Sequence, residues 1–341
     1  MNAVEPSQRE NSAPSGGSAA PGAESVGAFR SFEARIGINP ISWTNDDMPA
    51  LGGETTLDTA LAEGKAIGYE GFELGNKFPR EPEALRAVLA RHGLACVSGW
   101  YSGRLARGTV DGEIAAVDKH LTLLAANGAK VMVYGEVADS IQGSPQPLSL
   151  RPRFNTDADW HAYGERLTAF SKHLLARGVR LAYHHHMGAY VETAEDVDRL
   201  MSVTGPEVGL LHDTGHVTFA GGDPPTELRK HVARVVHVHC KDVRPAVARM
   251  ARNRGWSFLQ SVSNGAFSTP GEGCVDFAAV IATLRDAGYR GWLVVEGEQD
   301  PAVAPAYRYA EMAYKLLSAL VAGKSDSEGR AAACAPARTV A

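Results

Sequence analysis

The sequence predicts a (β/α)8 barrel, and three observations lead there. Short β-type runs alternate with amphipathic helical runs about eight times through the middle of the chain, as such a barrel requires. Most helical runs end in glycine just before the next strand, as in HG-LACV, NG-AKVM, RG-VRLA and AG-YRGW. Glycine there supplies the left-handed residue that closes a short helix-to-strand turn. Finally, the first strand-like run, RIGINPISW, is followed by no glycine-rich phosphate turn, which sets aside a doubly wound nucleotide-binding sheet.

In order, the strand-like runs are Arg35–Trp43, Tyr69–Gly75, Leu94–Tyr101, Lys130–Glu136, Val179–His186, Val208–Asp213, Val235–Lys241 and Gly291–Glu296. The helical runs between and after them are Leu57–Ile67, Glu83–His92, Glu113–Ala126, Trp160–Ala176, Ala194–Ser202, Pro225–Val232, Phe277–Ala287 and Ala306–Leu320. Each strand run is short and β-branched or aromatic, and each helical run carries an apolar stripe at helical spacing. A long loop is expected from Asp242 to Gly273.

The chain has 341 residues, 44% of them hydrophobic, and a net charge of −5, which suits a globular protein with a large core. A nucleic-acid partner is not expected, because such partners call for a basic excess. Cys96, Cys240, Cys274 and Cys334 form no CxxC pair, so neither a disulfide framework nor a zinc knuckle is expected, and a cytoplasmic setting fits. No run is long enough to span a membrane, and no signal pattern opens the chain. Residues 1–31 and 323–341 are rich in Ser, Gly, Ala and Pro or otherwise poor in large apolar side chains, and read as disordered tails around a barrel domain at 32–322.

In a barrel the chemistry gathers where the strands end. Those ends carry Asn39, Glu73, Trp100, Glu136, His184 and His186, Asp213, His239 and Lys241, and Glu296 and Glu298. Alternation along a strand puts His184 and His186 on one face, His237, His239 and Lys241 on one face, and Glu296 with Glu298. In LLHDTGH an apolar run closes on a carboxylate, Asp213, with His216 three residues on. A carboxylate ending a buried run needs a partner, either a cation or a hydrogen-bond network. Imidazoles and carboxylates converging from four successive strands suit Mn²⁺, Co²⁺, Fe²⁺ or Zn²⁺ better than an all-oxygen cage would. Trp43, Trp100 and Trp256 are candidates to wall a sugar-like ligand.

The order INPISW, FELGNKFP, YHHHMG, LLHDTGH, HVHCKDVR, FSTPGEG and GWLVVEGEQDP closely resembles the myo-inosose dehydratases, which belong to the xylose-isomerase-like barrel superfamily. The resemblance covers nearly all of residues 35–320. It implies dehydration of scyllo-inosose (2-keto-myo-inositol), a small polyol ketone, to a trihydroxycyclohexane-dione in inositol catabolism. It also implies Mn²⁺ or Co²⁺, with glutathione as a helper. A homo-oligomer is compatible with the sequence. Relatives in the superfamily hold one metal with Glu, Asp, His and Glu from strands five to eight. Asp213, His239 and Glu296 fall on the last three of these. On the fifth, His184 stands where the common pattern has Glu, with His186 and Glu136 as alternative first ligands.

Such a reaction needs a base beside the carbonyl and an acid at the departing hydroxyl. Lys241, His186 and Glu73 are the candidates, and Asn39, Trp100, His216 and Glu298 are assigned to substrate. Two rivals share parts of this pattern. A ketose isomerase or epimerase would return the proton and lose no water. An abasic-site nuclease would need more ligands and a basic groove.

Overall fold

The computed structural model describes residues 32–325 and 327. The reading of 1–31, and of nearly all of 323–341, as disordered tails lies outside the described residues. Eight parallel strands close into a barrel. They are β1 (Arg35–Ile38), β2 (Gly71–Leu74), β3 (Ala95–Gly103), β4 (Val131–Glu136), β5 (Arg180–His184), β6 (Gly209–Asp213), β7 (Val235–Cys240) and β10 (Trp292–Val295). β10 pairs with both β7 and β1, and closes the ring.

Around it run α1 (Leu57–Ile67), α2 (Pro82–His92), α3 (Val110–Ala126), α4 (Asp157–Ala176), α5 (Ala194–Val203), α7 (Pro224–His231), α10 (Phe277–Asp286) and α11 (Ala306–Val321). Their starts follow local chemistry. Thr56, Thr109, Thr156 and Thr193 each accept a backbone N–H of the first turn, and Thr156 and Thr193 complete reciprocal capping boxes. The glycines expected to close helices do so: Gly93, Gly128, Gly178 and Gly288 have φ of 61°, 80°, 77° and 70°.

The main core lies between strands and helices, where Phe72, Leu121, Leu124, Tyr134, Phe170 and Leu317 are buried together. Truncating a buried leucine there to alanine costs on the order of 2–5 kcal/mol. Inside the barrel the apolar filling is thin, with Val133, Ala182 and Leu211 packed against Trp100, Val131 and Val236. Above that plug the inward-facing positions are polar, so the upper barrel is built as a site. Among the described residues no helix is long and apolar enough to cross a membrane.

Three expectations need correction. The first strand ends at Ile38 rather than Trp43, because Asn39 turns the chain into a short 3-10 turn at Pro40–Ser42 and accepts the Ile41 N–H. The fifth ends at His184, so His186 belongs to the following turn. The stretch after β7 is no loop. It holds β8 (Asp242–Val243), α8 (Pro245–Arg254), α9 (Phe258–Ser263) and β9 (Phe267–Ser268), with β8 and β9 paired antiparallel. Buried Phe258 and Phe267 give this excursion its own small core, and Asp242 pins its far end. The Asp242 carboxylate accepts the backbone N–H groups of Gly271, Gly273 and Val275.

Candidate active site

β6 runs directly into a short helix that sequence reasoning missed, α6 (Thr214–Phe219), and Asp213 is its N-cap. Oδ1 of Asp213 accepts the His216 N–H at 2.8 Å. Oδ2 has no hydrogen-bond partner, and stands 3.4 Å from His184 Nε2 and 3.4 Å from His239 Nδ1. Glu296 Oε2 lies 3.0 Å from the same His239 nitrogen. One donor atom from each of His184, Asp213, His239 and Glu296 falls within 4.8 Å of the others, and all four residues are buried.

The group fits a divalent ion. Asp213 Oδ2, His239 Nδ1 and Glu296 Oε2 are all buried without a hydrogen bond, a costly state that a cation relieves. His184 donates Nδ1–H to the carbonyl of His185 at 2.7 Å, which leaves Nε2 with its lone pair toward Asp213. Two nitrogens and two carboxylates suit Mn²⁺, Co²⁺, Fe²⁺ or Zn²⁺. His184, the departure from the expected Glu, is the β5 residue that stands in this group. Glu136, its alternative, lies outside it. Tyr134 and Glu136 share the outward face of β4, and the Glu136 oxygens accept the Ala106 and Ala138 N–H groups and the Tyr134 hydroxyl. Burial pushes that carboxyl up to about 7.

A cavity of about 270 Å³ opens beside the four donors, room for one small ring. Lys241, fully buried, reaches into it between two carboxylates, 3.1 Å from Glu296 Oε2 and 2.8 Å from Glu298 Oε2. Its stem passes where a Cβ on Gly215 would sit, so the glycine of HDTGH makes room for the lysine. Burial alone would disfavour the ammonium, but the Glu296 and Glu298 carboxylates outweigh it and hold its pKa above the ordinary range. Glu298 keeps Oε1 unpartnered, and burial pushes its carboxyl up to about 7.

His216 Nε2 lies 3.3 Å from the lysine nitrogen. His186, whose ring is 4.2 Å from that of His216, donates Nδ1–H to the Met187 carbonyl at 2.9 Å. Nε2 is thereby its acceptor side, and burial with His184 nearby pushes the imidazole down to about 3, so it is neutral. Trp100 walls the cavity with its ring edge-on to His184 and His186. Trp43 instead packs on Phe72 and donates to Glu63, and Trp256 packs on the small core of the α8–α9 excursion.

Glu73 and Asn39 also line the cavity, but they hold each other: Asn39 Nδ2 donates to Glu73 Oε2 at 2.9 Å. Burial would raise the Glu73 carboxyl, but the His239 charge and bonds from His237 and His239 hold it well below the usual range. Asp46, Asp47, Asn76, Arg80, Ser102 and Gln142 complete the polar lining and were missed. Most of them sit in the turns after strands, where neither alternation nor strand ends give a signal. Phe258 and Phe267, also missed, back His186, His216 and Lys241 with aromatic faces.

The barrel with its donors at the C-terminal rim defines the class: the chain belongs to the xylose isomerase-like TIM barrel family, whose pattern matches residues 61–316. Within it the chain stands, by similarity, beside the inosose dehydratases, which are hydro-lyases. It is 43% identical over 284 residues to the inosose dehydratase of Geobacillus thermodenitrificans, covering 83% of this chain and 95% of that one. It is also 50% identical over 289 residues to the rhizopine catabolism protein MocC of Rhizobium meliloti, covering 84% and 89%. Among solved structures, the IolI protein with a bound zinc atom superposes with a TM-score of 0.61 at 16% identity, covering 85% of this chain and 99% of that one. That last likeness shows the fold.

Proposed function

We propose that the chain dehydrates scyllo-inosose to a trihydroxycyclohexane-dione, using one divalent ion at His184, Asp213, His239 and Glu296. What carries the reading is a single cavity that holds, beside the four donors, a hydrogen-bond donor and an acceptor. The donor is Lys241, braced by Glu298, and the acceptor is His186 Nε2. The similarity to inosose dehydratases over most of the chain supports the choice of substrate.

When bound, the ion supplies Lewis acidity at the substrate carbonyl. His186, held in one tautomer by Met187, takes the proton from the hydroxyl-bearing carbon next to the carbonyl. Lys241 gives a proton to the hydroxyl on the next carbon as that C–O bond breaks, and water leaves. The carbon–carbon double bond that forms carries an enol hydroxyl, which tautomerises to the second ketone. No electrons are gained or lost, so no redox cofactor enters. Glu298 keeps Lys241 charged and placed, and its free Oε1 is a seat for a ring hydroxyl. Trp100 offers an apolar face to the ring. The barrel is the unit proposed to carry this activity, with residues 1–31 and 323–341 dispensable.

The test is direct. Mn²⁺- or Co²⁺-loaded protein is incubated with scyllo-inosose, and the product is weighed by mass spectrometry. Loss of one water supports the reading, and an epimerised or isomerised ketone of unchanged mass rejects it.

A further inference from the structure

We propose that Glu73 is the positioning carboxylate of the metal centre: it grips His239 by Nε2, makes Nδ1 the ligand atom, and takes no proton in the reaction. The inference rests on the metal reading of the four donors and is independent of the substrate.

Glu73 is the penultimate residue of β2, on the inward face, and is 3% exposed. Its Oε1 accepts the Ser98 hydroxyl and His237 Nε2–H, the latter at 2.8 Å. Its Oε2 accepts Asn39 Nδ2 at 2.9 Å and lies 3.1 Å from His239 Nε2. Donors from β3, β7 and the turn after β1 therefore surround one carboxylate, and a carboxylate has about four acceptor sites. An acid would need a proton on one of these oxygens, facing donors on every side. Both oxygens already accept such donors.

His239 completes the argument. Its Nε2 faces Glu73, while its Nδ1 faces Asp213 Oδ2 at 3.4 Å and Glu296 Oε2 at 3.0 Å. A hydrogen bond donated to Glu73 by Nε2–H leaves the Nδ1 lone pair for the ion, and the nearby negative charge raises the ring's strength as a ligand. Glu73, His237 and His239 also lie close enough to one another to suggest a second ion. The Ser98 and Asn39 donors argue against it, because a cation there would have to displace both.

The test uses the whole chain. Glu73→Gln puts an amide N–H among these donors, and should weaken Mn²⁺ or Zn²⁺ binding by about 10–100-fold in calorimetric titration, with the barrel's circular dichroism unchanged. Glu73→Asp, which restores the charge, should recover part of that loss. A second readout, independent of how the variants fold, uses wild type alone. Histidine ¹⁵N spectra of the zinc-loaded protein should show His239 coordinated through Nδ1 and protonated at Nε2. Wild-type affinity in Glu73→Gln, coordination through Nε2, or two ions per chain would each overturn the inference. Wild type that takes up no ion overturns the metal reading and this inference together. A metal-binding protein that leaves scyllo-inosose untouched rejects the dehydratase reading and leaves this inference standing.

Discussion

Asp213 accepts the backbone N–H of His216 on one carboxylate oxygen at 2.8 Å, and the other oxygen is left unpartnered toward His184 and His239. One side chain thus caps α6 and turns its other oxygen to the proposed metal site. The two duties separate by substitution. Asp213→Asn keeps a good cap and loses the charge, so ion binding should fall at least tenfold with little change in melting temperature. Asp213→Ala should lose the ion and also about 0.5–2 kcal/mol of stability, read by denaturant titration. Equal melting temperatures for the two variants would contradict the capping role.

Lys241 sits between Glu296 and Glu298 with almost no exposure. Lys241→Met keeps the length of the chain but leaves buried carboxylates without their counter-charge. The metal-free variant should lose on the order of 3–5 kcal/mol. Added Mn²⁺ should restore part of that stability but none of the water loss. Near-native turnover by Lys241→Met would move the acid to another residue.

Arg151 is buried and holds the turn that carries His186. It donates to the carbonyl of Tyr190 at 2.9 Å and to Asp196 at 2.6 Å. Arg151→Ala strands Asp196 and frees that turn, so stability should drop by roughly 3–5 kcal/mol and kcat should fall with it. Arg151→Lys should rescue little, because one ammonium cannot match the planar fork. Chemical denaturation and steady-state rates read both effects.

His212 points outward from β6 and is buried with no partner on Nε2, and burial, followed by the nearby His185, pushes it down to about 3. The unfolded chain takes up a proton near the ordinary imidazole value and the folded one does not. Stability from this group is therefore present at neutral pH and is lost as pH falls through that window. Between about pH 7 and 5 the loss should be on the order of 2 kcal/mol, and His212→Leu should flatten the profile by that amount. An unchanged profile would show that the ring is protonated in the fold.

The βα alternation and the glycine helix ends were legible because both follow from local backbone chemistry. Asp213, His239 and Glu296 were legible for a similar reason, since strand ends in a barrel converge. Glu136 misled, because its place at a strand end was read without its parity: Tyr134 and Glu136 share the outward face, and the inward neighbour is Gly135, where Trp100 leaves no room for a Cβ. His186 was assigned to a strand that in fact stops at His184, since a triplet of histidines carries no boundary signal. The α8–α9 excursion was read as a loop because its apolar residues pack on one another and on the site above the barrel, away from the main core. The network under His239 was illegible. Glu73 and His237 are 164 residues apart, and only barrel closure brings them together.

The central claim is that one cavity removes a proton beside a carbonyl and expels the hydroxyl on the next carbon. Metal-loaded protein in deuterium oxide, given scyllo-inosose, tests it most directly when NMR and mass spectrometry follow the same sample. Wild type should yield a dione one water lighter, and Lys241→Met should still exchange the proton beside the carbonyl for deuterium while losing no water. A deuterated ketone of unchanged constitution or altered configuration as the sole wild-type product would contradict the account, and so would full elimination by Lys241→Met.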